Sequence, residues 1–155
     1  NCISSAMNVG HPSNLARIVA FFGGIMNEKG EFIKYPDFDS MQNEMYATSI
    51  TDDQTREAIS ECYRNYKIIL EPHGAVAWKG LRRYLEMIPE ADIMKYACCF
   101  LETAHPAKFS DEIEKILNIP VTLPQTLRSA ESGKEEYSVI DNDYRSFKQY
   151  INKLY

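Results

Sequence analysis

A strand-like apolar run that gives way at once to a helix start is the feature that most constrains this chain. Residues 96–101 have the length and composition of a strand buried in a parallel sheet. Ser110, with two acidic residues behind it, offers the start of a helix. Thr103, His105 and Lys108 therefore lie between a strand and a helix, where open α/β sheets collect their ligands.

Length and composition limit what the chain can be. Its 155 residues, 45% hydrophobic and 25% charged, match one globular domain of ordinary size. The net charge of −5 disfavours nucleic acid or an anionic membrane as a partner, since either calls for a basic patch. The apolar runs are too short to span a bilayer, and no secretory signal is present. Because the chain begins at Asn1, we expect a processed product or a fragment.

The cysteine pattern indicates a reducing environment. The four cysteines are Cys2, Cys62, Cys98 and Cys99. They show neither CxxC spacing nor a Cys/His zinc pattern, and no two histidines are paired at helical spacing, so we expect no metal site. We interpret the cysteines as small buried side chains of a cytoplasmic protein.

Helical periodicity and helix-boundary residues predict five helices. The clearest start is the capping box formed by Thr51 and Gln54, and the clearest stops are Pro89 and Pro120. The five helices are expected to begin near Ser13, Thr51, Pro72, Ser110 and Asp143. Residues 25–43, rich in polar side chains and glycine, are expected to be irregular.

Strand signals alternate with these helices. Strands are predicted at residues 45–50, 67–70, 96–101 and 120–123. The alternation predicts the α/β class, with a mainly parallel sheet flanked by helices that is an incomplete part of a larger sheet. A polar break after residue 130 predicts two regions, residues 1–130 and a polar loop with the C-terminal helix, residues 131–155.

The polar groups near the strand end each have a structural interpretation beside a functional one. Thr103 either caps the turn after the strand or contributes to a site at the mouth of the sheet. His105 either bonds a backbone carbonyl or takes part in proton transfer. Lys108 is either solvated or serves an anion, since its charge opposes the dipole of the following helix.

Two predicted helix starts carry the same ambiguity. His73 either caps the third helix or joins its first amides in receiving an anion or an oxyanion. Ser13 and Asn14 open the first helix and allow both interpretations. From composition and spacing alone, the chain is an α/β domain with a strand mouth suited to anions.

Four blocks of the sequence resemble, in order and spacing, segments of the threonine synthase family. The blocks are residues 12–14, 49–55, 70–76 and 103–109, of which the last reads Thr-Ala-His-Pro-Ala-Lys-Phe. The resemblance extends over residues 5–125. Three positions depart from the family pattern. Glu71 replaces the usual aspartate, and Ala77 stands where glycine is frequent. His11 stands where a small or amide residue is more common.

The resemblance implies a pyridoxal-phosphate-dependent enzyme of the tryptophan-synthase-like fold, which converts O-phosphohomoserine to threonine and phosphate. It implies that residues 1–130 are the C-terminal part of the cofactor-binding α/β region. It also implies that the Schiff-base lysine lies upstream in the same polypeptide, because no lysine here sits in the matching motif. We therefore expect this chain alone to be inactive.

The resemblance also assigns expected roles to individual residues. It places Thr103, followed by Ala104, at the pyridine nitrogen of the cofactor. A neutral hydroxyl does not enforce protonation of that nitrogen as a carboxylate would, and it thereby moderates the electron sink. The candidates for substrate binding are Ser13, Asn14, His73, His105 and Lys108.

Two other functions stay open at this point. The same fold and cofactor would serve a dehydratase acting on a hydroxy amino acid, which releases no phosphate. Alternatively, the chain is a non-catalytic α/β interaction module. A piece of a larger sheet is expected to expose apolar surface and a strand edge, and hence to self-associate.

Overall fold

The computed structural model describes residues 2–5, 12–95, 97–131 and 133–155. It divides into two compact units, Asn1–Thr122 and Leu123–Tyr155. The elements of the first unit are α1 (Leu15–Phe21), β1 (Ile25–Met26), β2 (Phe32–Lys34), α2 (Phe38–Glu44), α3 (Asp52–Tyr66), α4 (Pro72–Leu85), α5 (Glu90–Ile93), a 3₁₀ helix (Pro106–Phe109) and α6 (Ser110–Leu117). The second unit contains α7 (Gln125–Glu131) and α8 (Tyr144–Leu154). His11 lies outside the described residues.

The core of the first unit lies where α3 packs against α4 and α6. The capping box is present as predicted: Gln54 N donates to Thr51 Oγ1 at 3.3 Å, and Thr51 N donates to Gln54 Oε1 at 3.0 Å. It fixes the start of α3, whose apolar face then joins Leu70 and residues of α4 in one buried cluster. The members of that cluster are Ala58, Ile59, Cys62, Leu70, Ala75 and Trp78.

The five predicted helices are confirmed as α1, α3, α4, α6 and α8. The first begins one residue later than expected, with Asn14 rather than Ser13 at its N-cap, and the Asn14 side chain makes no capping hydrogen bond. It ends at Phe21 with Phe22 as its C-cap, and Gly23 follows at a φ of +78°, which glycine adopts without steric cost.

Residues 25–43 are more ordered than the sequence predicted. β1 and β2 pair as an antiparallel hairpin. Asn27 Oδ1 accepts from the amides of Lys29 and Glu31, each at 2.9 Å, so the polar residues here are turn-formers. Asp37 then caps α2 by accepting from Ser40 N at 3.1 Å. The segment was predicted to be irregular because turn and cap residues also dominate loops.

The predicted strands are not present as strands. The structure assigns no strand to residues 45–50, 67–70 and 120–123, or to the described residues 97–101 of the fourth segment. The sheet that it does contain, within the described residues, is the antiparallel hairpin of β1 and β2. A strand needs a neighbour to pair its amides and carbonyls. Sequence patterns report the apolar run but not that neighbour, so the mainly parallel sheet is not confirmed.

The second unit is held by local contacts. Arg128 Nε donates to the carbonyl of Leu123 at 2.9 Å beside α7. Asp143 caps α8 by accepting from the amides of Arg145 and Ser146 at 2.9 and 3.0 Å. Tyr150 on α8 donates to Ser138 Oγ at 2.7 Å.

The cysteine environments differ from the expectation of uniform burial. All four are free: Cys62 is buried and Cys2 is half-buried, but Cys98 and Cys99 are exposed. Within the described residues, no strand pairs with residues 97–101, so the two side chains are left uncovered. Among the described residues, no helix combines the length and the apolar character needed to cross a membrane.

Candidate functional site

The candidate site is organised around Glu71, the residue that begins α4. Its backbone is extended, with φ −81° and ψ 162°, and Pro72 occupies the first helical position, where a missing amide costs nothing. The Glu71 carboxylate turns back over the helix start and accepts from the amides of His73 at 2.8 Å and Gly74 at 2.9 Å. Glu71 is completely buried. The helix start is therefore filled by a carboxylate of the chain itself.

Thr103 meets Glu71 from a distant part of the sequence. Thr103 Oγ1 donates to Glu71 Oε1 at 3.1 Å, and the Thr103 amide lies 3.4 Å from the same oxygen. Thr103 is nevertheless exposed as a residue. Thr103, which follows the apolar run 97–101, is thus fixed to the start of α4.

His73 is the third member of this group. Its Nδ1 lies 2.5 Å from Glu71 Oε2, and its side chain is 11% exposed. Because an ionised carboxylate only accepts, Nδ1 is the donor. The ring stands edge-to-face against Phe109, with 5.3 Å between the centroids. Nε2 is buried without a partner among the described residues, and a buried polar atom in that state is costly.

Glu102 completes the Glu71 cluster, which we define as Glu71, His73, Glu102 and Thr103. Glu102 Oε1 accepts from the Glu71 amide at 2.7 Å. Its carboxylate lies against Gly74, where a Cβ would overlap the carboxylate and sit 2.6 Å from Glu102 Cδ. Glycine at position 74 therefore permits the close approach of the two segments.

The two carboxyl groups of the Glu71 cluster differ in pKa. Burial raises the pKa of Glu71, but the hydrogen bonds and positive charge of His73 and the amide of Gly74 outweigh it, so the pKa lies below its ordinary value. Burial also raises the pKa of Glu102, where the single amide of Glu71 compensates less and the Glu71 charge adds to the rise. Glu71 is therefore the stable anion of the pair.

The remaining predicted residues after the apolar run lie on the 3₁₀ helix or just before it. His105 Nδ1 accepts from the amide of Ala107 at 3.1 Å, so His105 caps the 3₁₀ helix instead of bonding a backbone carbonyl as its structural interpretation expected. A neutral His105 ring then carries its proton on Nε2. Lys108 is exposed, and it forms no ion pair with any described residue. Ala104 is half-buried beside Thr103.

Ser13 and Asn14 lie at the start of α1, and both are exposed. Within the described ranges, no hydrogen bond or ion pair joins either residue to the Glu71 cluster. Of the predicted site residues, the structure thus brings together His73 and Thr103, both through Glu71.

Sequence reasoning missed Glu71 and Glu102 as members of the site. Glu71 was noted only as a departure from the family pattern, although an acidic residue directly before Pro72 is a helix-cap signal. Glu102 gives no local signal, because its partner lies 31 residues away. The sequence predicted that the first amides of α4 bind an anion. Two of these amides already donate to the carboxylate of Glu71.

Comparisons with known proteins agree with the sequence resemblance. The profile of the family described as "Threonine synthase, C-terminal" matches residues 74–151, half of the chain. The threonine synthase of Haemophilus influenzae is 32% identical over 151 residues, which are 97% of this chain and 31% of that protein. That of Buchnera aphidicola from Schizaphis graminum is 29% identical over 149 residues, covering 96% of this chain and 30% of the relative. The chain thus spans about a third of the length of these curated relatives.

Two solved structures match the fold of the chain. Threonine synthase from Escherichia coli superposes with a TM-score of 0.73 at 23% identity, covering 99% of this chain and 31% of that one. The structure of threonine synthase from Brucella melitensis with bound PLP gives the same TM-score at 22% identity, covering 99% and 34%. At these identities the two solved structures show only that the folds are alike. The match to the family profile shows which family the chain belongs to. The chain belongs to the threonine synthase C-terminal family.

Proposed function

We propose that this chain is the C-terminal part of a threonine synthase, which converts O-phosphohomoserine to threonine and phosphate with pyridoxal phosphate as its cofactor. The observation that carries the proposal is the position of Thr103, which is exposed, follows an apolar run and is held by a hydrogen bond to Glu71. The proposed reaction follows from membership of the family, and Thr103 is the residue that we propose to contact the cofactor ring.

The residues present fit a pyridine ring. A pyridine nitrogen needs one polar partner, and the exposed Thr103 has a hydroxyl oxygen with lone pairs to spare. His73 Nε2, buried and unpartnered in the described part of the chain, is a second polar atom of the cluster that needs a partner. Thr103, followed by Ala104, would hold the nitrogen side of the ring. Bound pyridoxal phosphate would supply the electron sink for a carbanion on the substrate.

The other site residues suit the anionic groups of O-phosphohomoserine. The exposed Lys108 ammonium is a point-charge partner for phosphate. His105, with Nδ1 occupied by the Ala107 amide, is left with Nε2–H as a donor for an oxygen. Ser13 and Asn14 offer exposed polar groups at the start of α1. We propose these four residues, with His73 through its Nε2, as substrate contacts.

The exposed apolar run indicates how the chain is completed. Residues 97–101 are all exposed, including Phe100 at 36% and Leu101 at 75%, although their composition is that of a buried strand. We propose that this run joins a mainly parallel sheet contributed by an upstream part of the same polypeptide. In that arrangement residues 1–130 complete the cofactor-binding region, residues 131–155 form the C-terminal appendage, and the Schiff-base lysine comes from upstream.

Free cysteines suit a reducing compartment, so we propose a cytoplasmic location. With the lysine elsewhere, the chain alone is inactive.

The test uses the complete polypeptide encoded by the gene, supplied with pyridoxal phosphate and O-phosphohomoserine. We expect stoichiometric release of phosphate and formation of threonine. Threonine and serine, offered separately, test for a dehydratase, which would form an oxo acid and release no phosphate. Oxo acid formation without threonine synthesis would retain the cofactor and overturn the substrate assignment. A polypeptide that binds no pyridoxal phosphate would overturn the proposal as a whole.

A further inference from the structure

We propose that Glu102 is a positioning residue for the cofactor site, and that it sets the place of Thr103 by filling the space that Gly74 leaves beside the start of α4. The inference rests on the proposed function, because it requires pyridoxal phosphate to lie against Thr103. It deepens that function by naming a residue outside the expected cofactor contacts on which the affinity for the cofactor depends.

The hydrogen bonds that join the segment with Thr103 to the start of α4 differ in length. Glu102 Oε1 accepts from the Glu71 amide at 2.7 Å, at the short end of the usual range for an amide donor. Thr103 reaches Glu71 Oε1 at 3.1 Å through its hydroxyl and at 3.4 Å through its amide. That carboxylate is also shared with the amides of His73 and Gly74 and with the imidazole of His73. The bond of Glu102 is therefore the tighter link between the two segments.

Gly74 makes this link possible. A Cβ at position 74 would overlap the Glu102 carboxylate and sit 2.6 Å from its Cδ. The three atoms nearest to that Cβ all belong to the carboxyl group of Glu102. Glycine inside a helix is destabilising relative to alanine, so α4 gives up some intrinsic stability at this position. The space left by the absent side chain is taken by the Glu102 carboxylate.

The link fixes Thr103 because Glu102 and Thr103 are neighbours in sequence. The rigid peptide unit holds successive Cα atoms about 3.8 Å apart. A Glu102 carboxylate that is held against the start of α4 therefore limits where Thr103 can lie. A hydrogen bond weakens steeply when its two atoms move apart or out of line, so a displaced Thr103 would bind a ring nitrogen less well.

The link needs an acceptor oxygen rather than a negative charge. Burial and the nearby charge of Glu71 raise the pKa of the Glu102 carboxyl above its ordinary value, although the bond from the Glu71 amide opposes the rise. A neutral side chain of the same length should therefore hold the Glu71 amide as well as glutamate does. Glu102→Gln keeps the oxygen and the length, Glu102→Asp is one methylene too short, and Glu102→Ala loses the acceptor.

The experiment measures the affinity of the complete polypeptide for pyridoxal phosphate. The cofactor is removed, and its rebinding is titrated by absorbance in the unaltered protein and in the three variants. Glu102→Ala and Glu102→Asp should weaken binding by about tenfold, because a binding residue loses the partner that orients it. Glu102→Gln should bind as tightly as the unaltered protein. Hydrogen exchange at the Glu71 amide should become faster in Glu102→Ala and Glu102→Asp but not in Glu102→Gln.

Glu114→Ala is the matched control. Glu114 Oε1 accepts from the Val121 amide at 2.9 Å, a bond of the same kind elsewhere in the first unit, and its loss should leave the cofactor affinity unchanged. Gly74→Ala is a second route if Glu102→Ala does not fold, since the new methyl group displaces the carboxylate while Glu102 is kept. Gly74→Ala should weaken binding as Glu102→Ala does, and the double variant should bind no more weakly than Glu102→Ala alone.

Three results would overturn this inference and leave the proposed function intact. The first is equal cofactor affinity in the unaltered protein, Glu102→Ala and Gly74→Ala. The second is a loss in Glu102→Gln as large as that in Glu102→Ala, and the third is an equal loss in Glu114→Ala, which would indicate an effect of general stability. An unaltered polypeptide that binds no pyridoxal phosphate would overturn the proposed function, and with it this inference.

Discussion

Glu102 Oε1 accepts a hydrogen bond from the backbone amide of Glu71 at 2.7 Å. Because Glu102 directly precedes Thr103, this bond holds the segment with Thr103 against the start of α4. The two glutamates are 31 positions apart in sequence. The contact brings two carboxyl groups close together at a helix start, where amides and the helix dipole favour negative charge. Hydrogen bonds compensate the buried charge of Glu71 better than that of Glu102. Glu71 accepts from Thr103 and His73, whereas Glu102 accepts from the Glu71 amide.

The first prediction concerns the close approach at Gly74. Gly74→Ala should push the Glu102 carboxylate away and break its bond to the Glu71 amide, because the new Cβ would overlap it. Losing a hydrogen bond to a charged group costs about 1.5–3 kcal/mol, and alanine returns about 0.5–1 kcal/mol in a helix. We expect a net loss near 1 kcal/mol in urea unfolding.

The control for Gly74→Ala is the same change in a Glu102→Ala background. There the obstacle is absent, so alanine should stabilise the chain or leave it unchanged. Equal effects of Gly74→Ala in both backgrounds would show that Glu102 does not fill the space beside position 74.

The second prediction is a pH dependence of stability with opposite signs for the two glutamates. The folded pKa of Glu71 lies below its ordinary value, so Glu71 stabilises the fold above the unfolded pKa of about 4.3 and loses that effect as the pH falls through the folded pKa. Glu71→Gln should therefore flatten the acid loss of stability. The folded pKa of Glu102 is raised, so its contribution is present at low pH and lost as the pH rises through the folded value.

Urea unfolding at pH values between 3 and 7 measures both effects. Glu71→Gln should reduce the slope below about pH 4.3, and Glu102→Gln should reduce the decline on the alkaline side of that value. Parallel pH profiles for the two variants would contradict the assignment of Glu71 as the compensated anion.

The third prediction concerns the capping box of α3. Thr51→Ala removes the acceptor for the Gln54 amide and should lower the free energy of unfolding by about 1 kcal/mol. Thr122→Ala, at an exposed position, is the matched control and should change it by less than about 0.5 kcal/mol. A loss at Thr51 no larger than the loss at Thr122 would mean that the box does not determine the helix start.

The fourth prediction is self-association of the 155-residue chain. Several large apolar side chains of the first unit are exposed, among them Phe21 at 78%, Ile33 at 69%, Tyr35 at 69% and Leu101 at 75%. Exposed apolar surface on this scale favours contacts with a second molecule. Sedimentation velocity should show species heavier than the monomer that increase with concentration. A monomer at all concentrations would instead indicate that the chain tolerates this exposure.

The sequence predicted the helices well because their signals are local. The Thr51–Gln54 box spans one turn, and Pro72 needs no partner beyond its own helix. Strands and the site depend on distant neighbours. The run 97–101 has the composition of a strand, but pairing requires another segment alongside it. Thr103 and His73 were predicted as site residues, but their common partner Glu71 was not. Its hydrogen bond with Thr103 joins residues that are 32 positions apart in sequence. Nothing in a local pattern reports such a contact.

The most direct test of the account replaces Thr103 by valine in the complete polypeptide. Thr103→Val keeps the side-chain shape and removes the hydroxyl that Glu71 orients. We predict that the variant still binds pyridoxal phosphate, that the absorption spectrum of the bound cofactor shifts, and that turnover of O-phosphohomoserine slows. An unchanged spectrum together with unchanged turnover would remove Thr103 from the site and contradict the central claim.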